Sequence, residues 1–465
     1  MEQQKKDELI RTRKDHLTIA IGLMVFAFLI NRGIEIKGLY MDDLYMWSCF
    51  GEQSFSEFVF PIGGTRCRFI FYLVSYLEMA LIGVHVNWMV PINIFLNGLV
   101  AITVYGMAQK LSRSKFVGAL MGVMYLLSRL SYYQISQGWG LMETMALWLA
   151  ILILYSLYRF LNDTSENNGY YVLANVLYFA ICFVHERYMV LLPLFFLVLV
   201  MKKEKNLRRW LETVLTFALV QGIRFLAIGG LLPAGTGGTQ VADTFDVKSV
   251  IRYALAQVAY LFGINAGPEH LNGIAWNDTP RWLHLLVYAA IVTLLLMGAF
   301  FVRSLILHKK ERKSAGCNSV LFLCFIGACI VSSSVTIRLE MRWVYVSFTA
   351  ALLYLSYLYG VITKDVEGSD MPKKLLPYGI LITAYVVLMF PVELCYRSCY
   401  PNLYYWSDQL RYNSLAEETY EKYGDAIFDK KIYLIGDTYQ ISDFTAQTFF
   451  KVYDKEKKFE GAELV

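Results

Sequence analysis

Charge is the first thing this sequence is short of. Only 17% of its 465 residues are Asp, Glu, Lys or Arg, against about 25% in a typical soluble chain. Hydrophobic residues reach 57%, and mean hydropathy is +0.43. That excess is more than a core surrounded by water needs, so a soluble globular protein is excluded. The marks of nucleotide and metal chemistry are also missing. There is no Walker motif, no GxGxxG opening a helix, no HExxH and no GxSxG. The eight cysteines form no CxxC and no His/Cys set with zinc spacing. Cys49 and Cys67 share one loop, and Cys395 and Cys399 lie just past the last apolar segment. Either pair is placed to form a disulfide, but free thiols are the default. An enzyme working outside the cytoplasm without nucleotide sugars needs a lipid-carried, already activated donor.

What the sequence does have is long apolar runs. A bilayer span takes about 20 apolar residues. Eleven segments qualify: 15–33, 89–109, 116–134, 141–159, 170–186, 188–202, 210–232, 282–304, 317–336, 343–362 and 376–396. The basic N-terminus has no small-residue cleavage site after its apolar run, so it is read as a retained first span. The net charge of +5 is small, and its arrangement carries more than its size. With the N-terminus cytoplasmic, the six inside segments hold 22 of the 43 Lys and Arg, in loops such as KKEKNLRR and HKKERK. This sets the expected sidedness: N-terminus inside, C-terminus outside, in a multi-pass cell membrane protein of bacterial type.

Two apolar stretches are not counted as spans. Residues 69–88 are interrupted by Glu78, His85 and Asn87, and counting them would invert every later loop. They read as an amphipathic helix on the external membrane surface, as does 248–263. The first external loop then covers 34–88 and a long one covers 233–281, with a Gly-rich, lid-like segment at 230–240. The expected fold is an all-α polytopic membrane protein of about 11 transmembrane helices. It carries external surface helices and a small α+β tail. Residues 1–397 form the membrane domain and 398–465 an external appendage. In that tail, 414–425 reads as a helix, and 430–437 and 448–454 read as strands.

Candidate chemistry collects on the external side. Asp42 and Asp43 follow the first span, among Tyr40, Tyr45 and Trp47. Taken alone they suit a solvated interfacial loop. Taken functionally, a partly desolvated carboxylate is a general base for a hydroxyl. Two adjacent carboxylates cannot point the same way, so one acts while the other orients a partner. Arg66 and Arg68 follow a Gly-Gly turn, and their forks suit phosphate oxygens or plain headgroup anchoring. Glu143 opens the fourth span, His185, Glu186 and Arg187 close the fifth, and Arg338, Glu340 and Arg342 follow the ninth. Ionisable groups at membrane depth suggest function, with structural ion pairs as the competing account. Arg224, near the external end of the seventh span, is placed with them.

Together these residues resemble the GT-C type of polytopic glycosyltransferases, which include protein O-mannosyltransferases, aminoarabinose transferases and bacterial cell-envelope glycosyltransferases. The match runs through most of 1–360, in order. Asp42-Asp43 lies in the first loop, GGTRCRFIFYLVSYLEMALIG leads into a surface helix, and NWMVPINIFLNGL is an Asn-rich second span. LMETMALW, HERYMVLLPLFF and IRLEMRWVY follow. The family often has Arg-Pro before the surface helix, where this chain has Arg66-Cys67-Arg68-Phe69. The resemblance implies inverting transfer. Asp42 or Asp43 deprotonates an acceptor hydroxyl, which attacks the anomeric carbon of a polyprenyl-phosphate sugar. Arg66, Arg68, Arg338 and Arg342 steady the leaving phosphate, with Glu143, His185, Glu186 and Arg187 around it. The acceptor is a cell-envelope glycan, lipid or protein. No cofactor, metal or nucleic acid is implied, although an Asp pair can hold a divalent cation. The rival readings are a lipid-linked oligosaccharide polymerase or flippase and a small-solute transporter. A flippase needs charges reaching both faces, and a transporter needs inverted repeats, which are not visible.

Overall fold

A computed structural model describes residues 2–36, 38–40, 42–83, 85–138, 140–163, 169–231, 246–264, 276–308, 312–336, 341–364, 371–399, 406–435, 450, 453 and 461–465. The described residues are overwhelmingly helical. In chain order the helices are α1 (Glu2–Ile30), α2 (Asp42–Glu52), α3 (Phe55–Val59), α4 (Phe69–Ile82), α5 (Met89–Ser112), α6 (Lys115–Leu127), α7 (Tyr132–Ile135), α8 (Gly140–Asn162) and α9 (Tyr170–Cys182). They continue as α10 (Leu192–Lys202), α11 (Leu207–Ile228), α12 (Val247–Leu261), α13 (Arg281–Leu307), α14 (Arg312–Ser334), α15 (Val344–Thr363), α16 (Met371–Cys399) and α17 (Trp406–Tyr423).

Among the described residues, seven helices are long and apolar enough to cross a membrane: α5, α8, α11, α13, α14, α15 and the Pro377–Ser398 part of α16. The chain is therefore a multi-pass membrane protein. The other four expected spans fall on α1, whose described part starts highly charged, and on α6, α9 and α10, which are 11 to 13 residues long. The surface-helix expectations fall on α4 and α12, which are shorter than a span.

The middle of the bundle is formed by α5, α6, α8, α14 and α15. Of the seven long helices, α8 and α15 are the most enclosed and α11 and α13 the least. Helices of similar polarity to lipid associate through close packing, which favours small residues at crossings. Gly360 shows this: a Cβ there would meet the Leu111 carbonyl oxygen at 2.1 Å. Polar side chains inside the bundle are tied to one another. Asn97 donates to the Tyr125 and Tyr345 hydroxyls, and Asn318 to Tyr357.

The end of α16 closes the structure. Arg397 is buried and donates to the carbonyls of Leu127 (2.7 Å), Leu126 (2.8 Å) and Ser128 (3.0 Å), and to Asn31 Oδ1 (3.0 Å). The last carbonyls of a helix have no partner within it and carry partial negative charge. One guanidinium thus caps α6 and fastens it to the end of α1. After it, α17 lies against the chain leading into α2: Gln409 donates to the Gly38 carbonyl, Asn413 to Leu39, and Tyr412 meets Tyr40 edge-on. Gly38 has φ +122, and a Cβ there would meet Asn413 Oδ1 at 2.2 Å, so glycine is required.

The tail helix begins at Trp406, earlier than the sequence pattern predicts, and ends before Gly424. The expected strand at 430–437 is represented by β1 (Ile432–Leu434). It pairs in parallel with β2 (Ala462–Leu464), a segment too short to signal itself in sequence. Of the expected 448–454 strand, only Phe450 and Tyr453 lie among the described residues. Most of the Gly-rich 230–240 segment also lies outside them. Cys49 and Cys67 are not joined in a disulfide, and the Cys399 side chain lies outside the described set.

Candidate functional site

The site starts at the N-terminus of α2. Asp42 and Asp43 form its first turn, where free backbone N–H groups favour carboxylates. The two point differently, as adjacent helical residues must: Asp42 is exposed and Asp43 is 6% exposed. Asp43 Oδ2 accepts from the Gly138 backbone N–H at 2.9 Å. A side chain at 138 would press on Met89 (2.9 Å) and crowd Asp43 Oδ1 (3.4 Å), so glycine admits this contact.

Beneath α2 runs α4. Its Glu78 is buried, with Oε1 lacking any hydrogen-bond partner. Burial, and then the nearby Asp43 charge, push the Glu78 carboxyl up to about 8. Glu78 is therefore a neutral acid at pH 7. The sequence analysis used it only as an interruption in an apolar run, yet a lone acid on such a helix is a signal in itself. Ahead of α4, Cys67 is buried and its thiol is pushed up to about 11 by burial, with the Arg224 charge opposing. Arg224, on α11, is 1% exposed, and its Nε has no hydrogen-bond partner.

Two ion clusters gather beside these carboxylates. In the first, both Arg66 and Arg68 bind Glu186. Arg68 grips it with a two-pronged fork, Nε to Oε2 at 2.7 Å and Nη2 to Oε1 at 2.8 Å. The guanidinium expected to hold a lipid phosphate thus holds a carboxylate of its own chain. In the second, Glu143 faces Arg187 (2.8 Å), His185 (3.8 Å) and Arg342 (3.9 Å). Arg187 packs against the Tyr188 and Trp343 rings, and Arg342 lies 3.8 Å over the Tyr133 ring.

One stretch, residues 133–143, touches every part of this arrangement. Tyr133 lies under Arg342, Gly138 holds Asp43, Met142 Sδ meets Arg68 Nη1 at 3.2 Å, and Glu143 binds Arg187. The turn is tight because Gly140 packs where a Cβ would lie 2.4 Å from the Gln134 carbonyl oxygen. Asn93, on α5, steadies the turn by donating to the Ile135 and Gln137 carbonyls. Of the sequence-identified residues, Asp43, Arg66, Arg68, Glu143, His185, Glu186, Arg187 and Arg342 come together. Asp42 sits at the rim. Arg338 and Glu340 lie outside the described residues. Gly138 and Tyr133 escaped the sequence analysis, because a backbone amide and a ring under a cation leave no pattern.

The comparisons with known proteins follow from this architecture. No protein-family model matches the sequence, and no curated protein matches it. Solved structures do. One is the Archaeoglobus fulgidus oligosaccharyltransferase tethered to an acceptor peptide containing the NVT sequon: TM-score 0.52, 10% identity, 96% of this chain and 63% of that one. Another is the archaeal oligosaccharyltransferase AglB from Archaeoglobus fulgidus, in complex with an inhibitory peptide and a dolichol-phosphate: TM-score 0.55, 9% identity, 96% and 64%. The chain has the fold of these GT-C membrane glycosyltransferases. It spans just under two thirds of their length.

Proposed function

We propose that this protein is an inverting membrane glycosyltransferase that moves a sugar from a polyprenyl-phosphate carrier to a cell-envelope acceptor. The proposal places the reaction on the external face, with the N-terminus cytoplasmic and the tail outside. One observation supports this reading: the 133–143 turn that bonds Asp43 through Gly138 also carries Glu143, which pairs with Arg187, and Tyr133, which lies under Arg342. One segment thus links the carboxylate to both guanidiniums. The likeness to oligosaccharyltransferases supports it, since one protein of that fold was solved with an inhibitory peptide and a dolichol-phosphate and another structure holds an acceptor peptide.

In this reading Asp43 takes the proton from an acceptor hydroxyl, and the exposed Asp42 orients the acceptor. The oxygen attacks the anomeric carbon from the face opposite the phosphate. The bond from that carbon to the phosphate oxygen breaks, and the electron pair leaves with the phosphate. Arg187 and Arg342 face the developing charge, with Arg224 as a further guanidinium nearby. Preorganised cations at a desolvated site are the main source of such stabilisation. Arg66 and Arg68 act through Glu186, by fixing the turn that carries Arg187. The test uses purified protein in nanodiscs with a radiolabelled polyprenyl-phosphate sugar and a cell-envelope extract as acceptor. Asp43→Asn is expected to insert normally and lose transfer. Full activity in both Asp42→Asn and Asp43→Asn would overturn the base assignment.

A further inference from the structure

Arg187 serves two anions in the reading above. Its Nη2 donates to Glu143 Oε2 at 2.8 Å, and its Nη1 is buried without a hydrogen-bond partner. It is also the proposed partner of the leaving phosphate. A polyprenyl-phosphate sugar is a phosphodiester and carries one negative charge. Once the sugar has left, the phosphate is a monoester and carries about two. The pull on Arg187 therefore rises as the bond breaks. Glu143 is 2% exposed, so a guanidinium that shifts toward the phosphate leaves a buried carboxylate behind. A buried charge that loses its partner is strongly destabilising. The exchange is easy only where a second donor stands ready for Glu143.

His185 stands in that place. It is the N-cap of the short 3₁₀ helix Glu186–Leu191, with extended backbone, and its Nδ1 accepts the Arg187 backbone N–H at 3.3 Å. A backbone N–H can only donate, so Nδ1 is unprotonated and the ring proton lies on Nε2. Nε2 is 3.8 Å from Glu143 Oε1, the oxygen that has no hydrogen-bond partner. That is too long for a hydrogen bond, and about 1 Å of movement makes it one. Arg342 Nε stands 3.9 Å from the same oxygen, but Arg342 is itself a proposed partner of the phosphate. His185 carries no such second duty. Because it sits two residues before Arg187, the cap that orients the imidazole also fixes the main chain of the guanidinium it relieves.

We propose that His185 is a positioning residue that takes over Glu143 when the phosphate becomes a dianion and so releases Arg187 to it. No proton changes hands. The Arg187–Glu143 hydrogen bond lengthens, and a bond from His185 Nε2–H to Glu143 Oε1 closes. The site then holds the departing monoester more tightly than the diester it came from, which is the difference that lowers a barrier. The catalytic consequence rests on the transferase reading, whereas the preference for a dianion does not.

The experiment titrates the full chain in nanodiscs, at pH 8, with polyprenyl phosphate and with its methyl ester, and reads the ratio of the two dissociation constants. Two variants separate the cap from the donor. His185→Asn keeps a good N-cap oxygen for the Arg187 N–H and brings no donor to Glu143. His185→Gln is a poor cap but sets an amide N–H near the Nε2 position. The preference for the dianion is expected to fall about tenfold in His185→Asn, the scale of one hydrogen bond to a charged group, with methyl ester binding unchanged. It should survive in His185→Gln. A residue that only caps the helix gives the reverse order, Asn intact and Gln impaired, and that order overturns the proposal. So does an equal loss for both ligands. In a Glu143→Gln background there is no carboxylate to take over, so adding His185→Asn should leave the ratio where it was, and a further tenfold fall would overturn the exchange. Should His185→Gln fail to fold, His185→Asn with and without Glu143→Gln still decides. A ratio that moves as expected in a preparation that transfers no sugar would sink the transferase reading and leave the role of His185 standing. Transfer with a ratio unmoved by His185→Asn would do the opposite.

Discussion

The two ion clusters beside α2 are built from the same residue types and end in different states. Around Glu186 the contacts are short and two-pronged, and the carboxylate is shared by Arg66 and Arg68. Around Glu143, among the described residues, the Arg187 contact is short, whereas His185 and Arg342 stand off at 3.8 and 3.9 Å. Glu143 Oε1 and Arg187 Nη1 are buried without hydrogen-bond partners. A buried charge lacking full compensation is expensive unless something else supplies it. The satisfied cluster is therefore a strut. The unsatisfied one has the incompleteness expected where an anionic ligand belongs.

The largest effect expected from breaking this arrangement is at Asp43, the proposed base. Asp43→Asn should lower sugar transfer by about 10²–10⁴-fold, the usual range for a general base. Asp42→Asn should lower it less, and the reverse order, read in the same assay, would exchange their roles. Next, Arg187→Met and Arg342→Met should each cost about 10²-fold or more in kcat, as loss of one preorganised charge-stabilising group does. Arg68→Met should instead appear as lost stability, up to about 3–5 kcal/mol, because it removes the two-pronged partner of the buried Glu186 carboxylate and leaves it to Arg66 alone. Thermal unfolding and transfer rates measured on the same samples separate the two. If Arg68→Met proved stable but inactive, the strut reading would fail.

A sharper version removes the strut as a unit. Arg68→Met combined with Glu186→Gln should recover part of the lost stability and keep transfer within about tenfold, since both deeply buried charges are removed together and only Arg66, the more exposed partner, loses its carboxylate. The smallest effect concerns Glu78. Its folded pKa of about 8 lies above its ordinary value of 4.5. Its contribution to stability is thus full below pH 4.5 and is lost as pH rises through 8. Glu78→Gln, neutral at every pH, should flatten that decline between pH 5 and 9, seen as a smaller fall in Tm than in the unsubstituted protein.

Much of this was legible in the sequence, for identifiable reasons. Apolar runs and loop charges depend on local composition, so all eleven expected segments overlap helices, and residues 69–82 form a short helix where Glu78 interrupts the run. The convergence of Glu143, Arg187 and Arg342 was legible too, because each sits at a helix end on one expected face. The partners were not. Arg68 and Glu186 are 118 residues apart, and nothing local distinguishes an arginine held by a distant glutamate from one awaiting a phosphate. The role of Gly138 arises only once α2, α5 and the 133–143 turn are packed. In the tail, pairing of β1 with three residues at the far C-terminus depends on chain return, which short segments do not encode.

The Arg397 clasp also has a consequence in time. Synthesis runs from the N-terminus, so α1, α6 and the turn bearing Asp43 are all made long before residue 397 exists. Until it arrives, the carbonyls ending α6 and the Asn31 side chain lack the donors that join them. The junction of α1 with α6 then stays unfastened while most of the chain is being inserted, and its closure is deferred to the last stage of biogenesis.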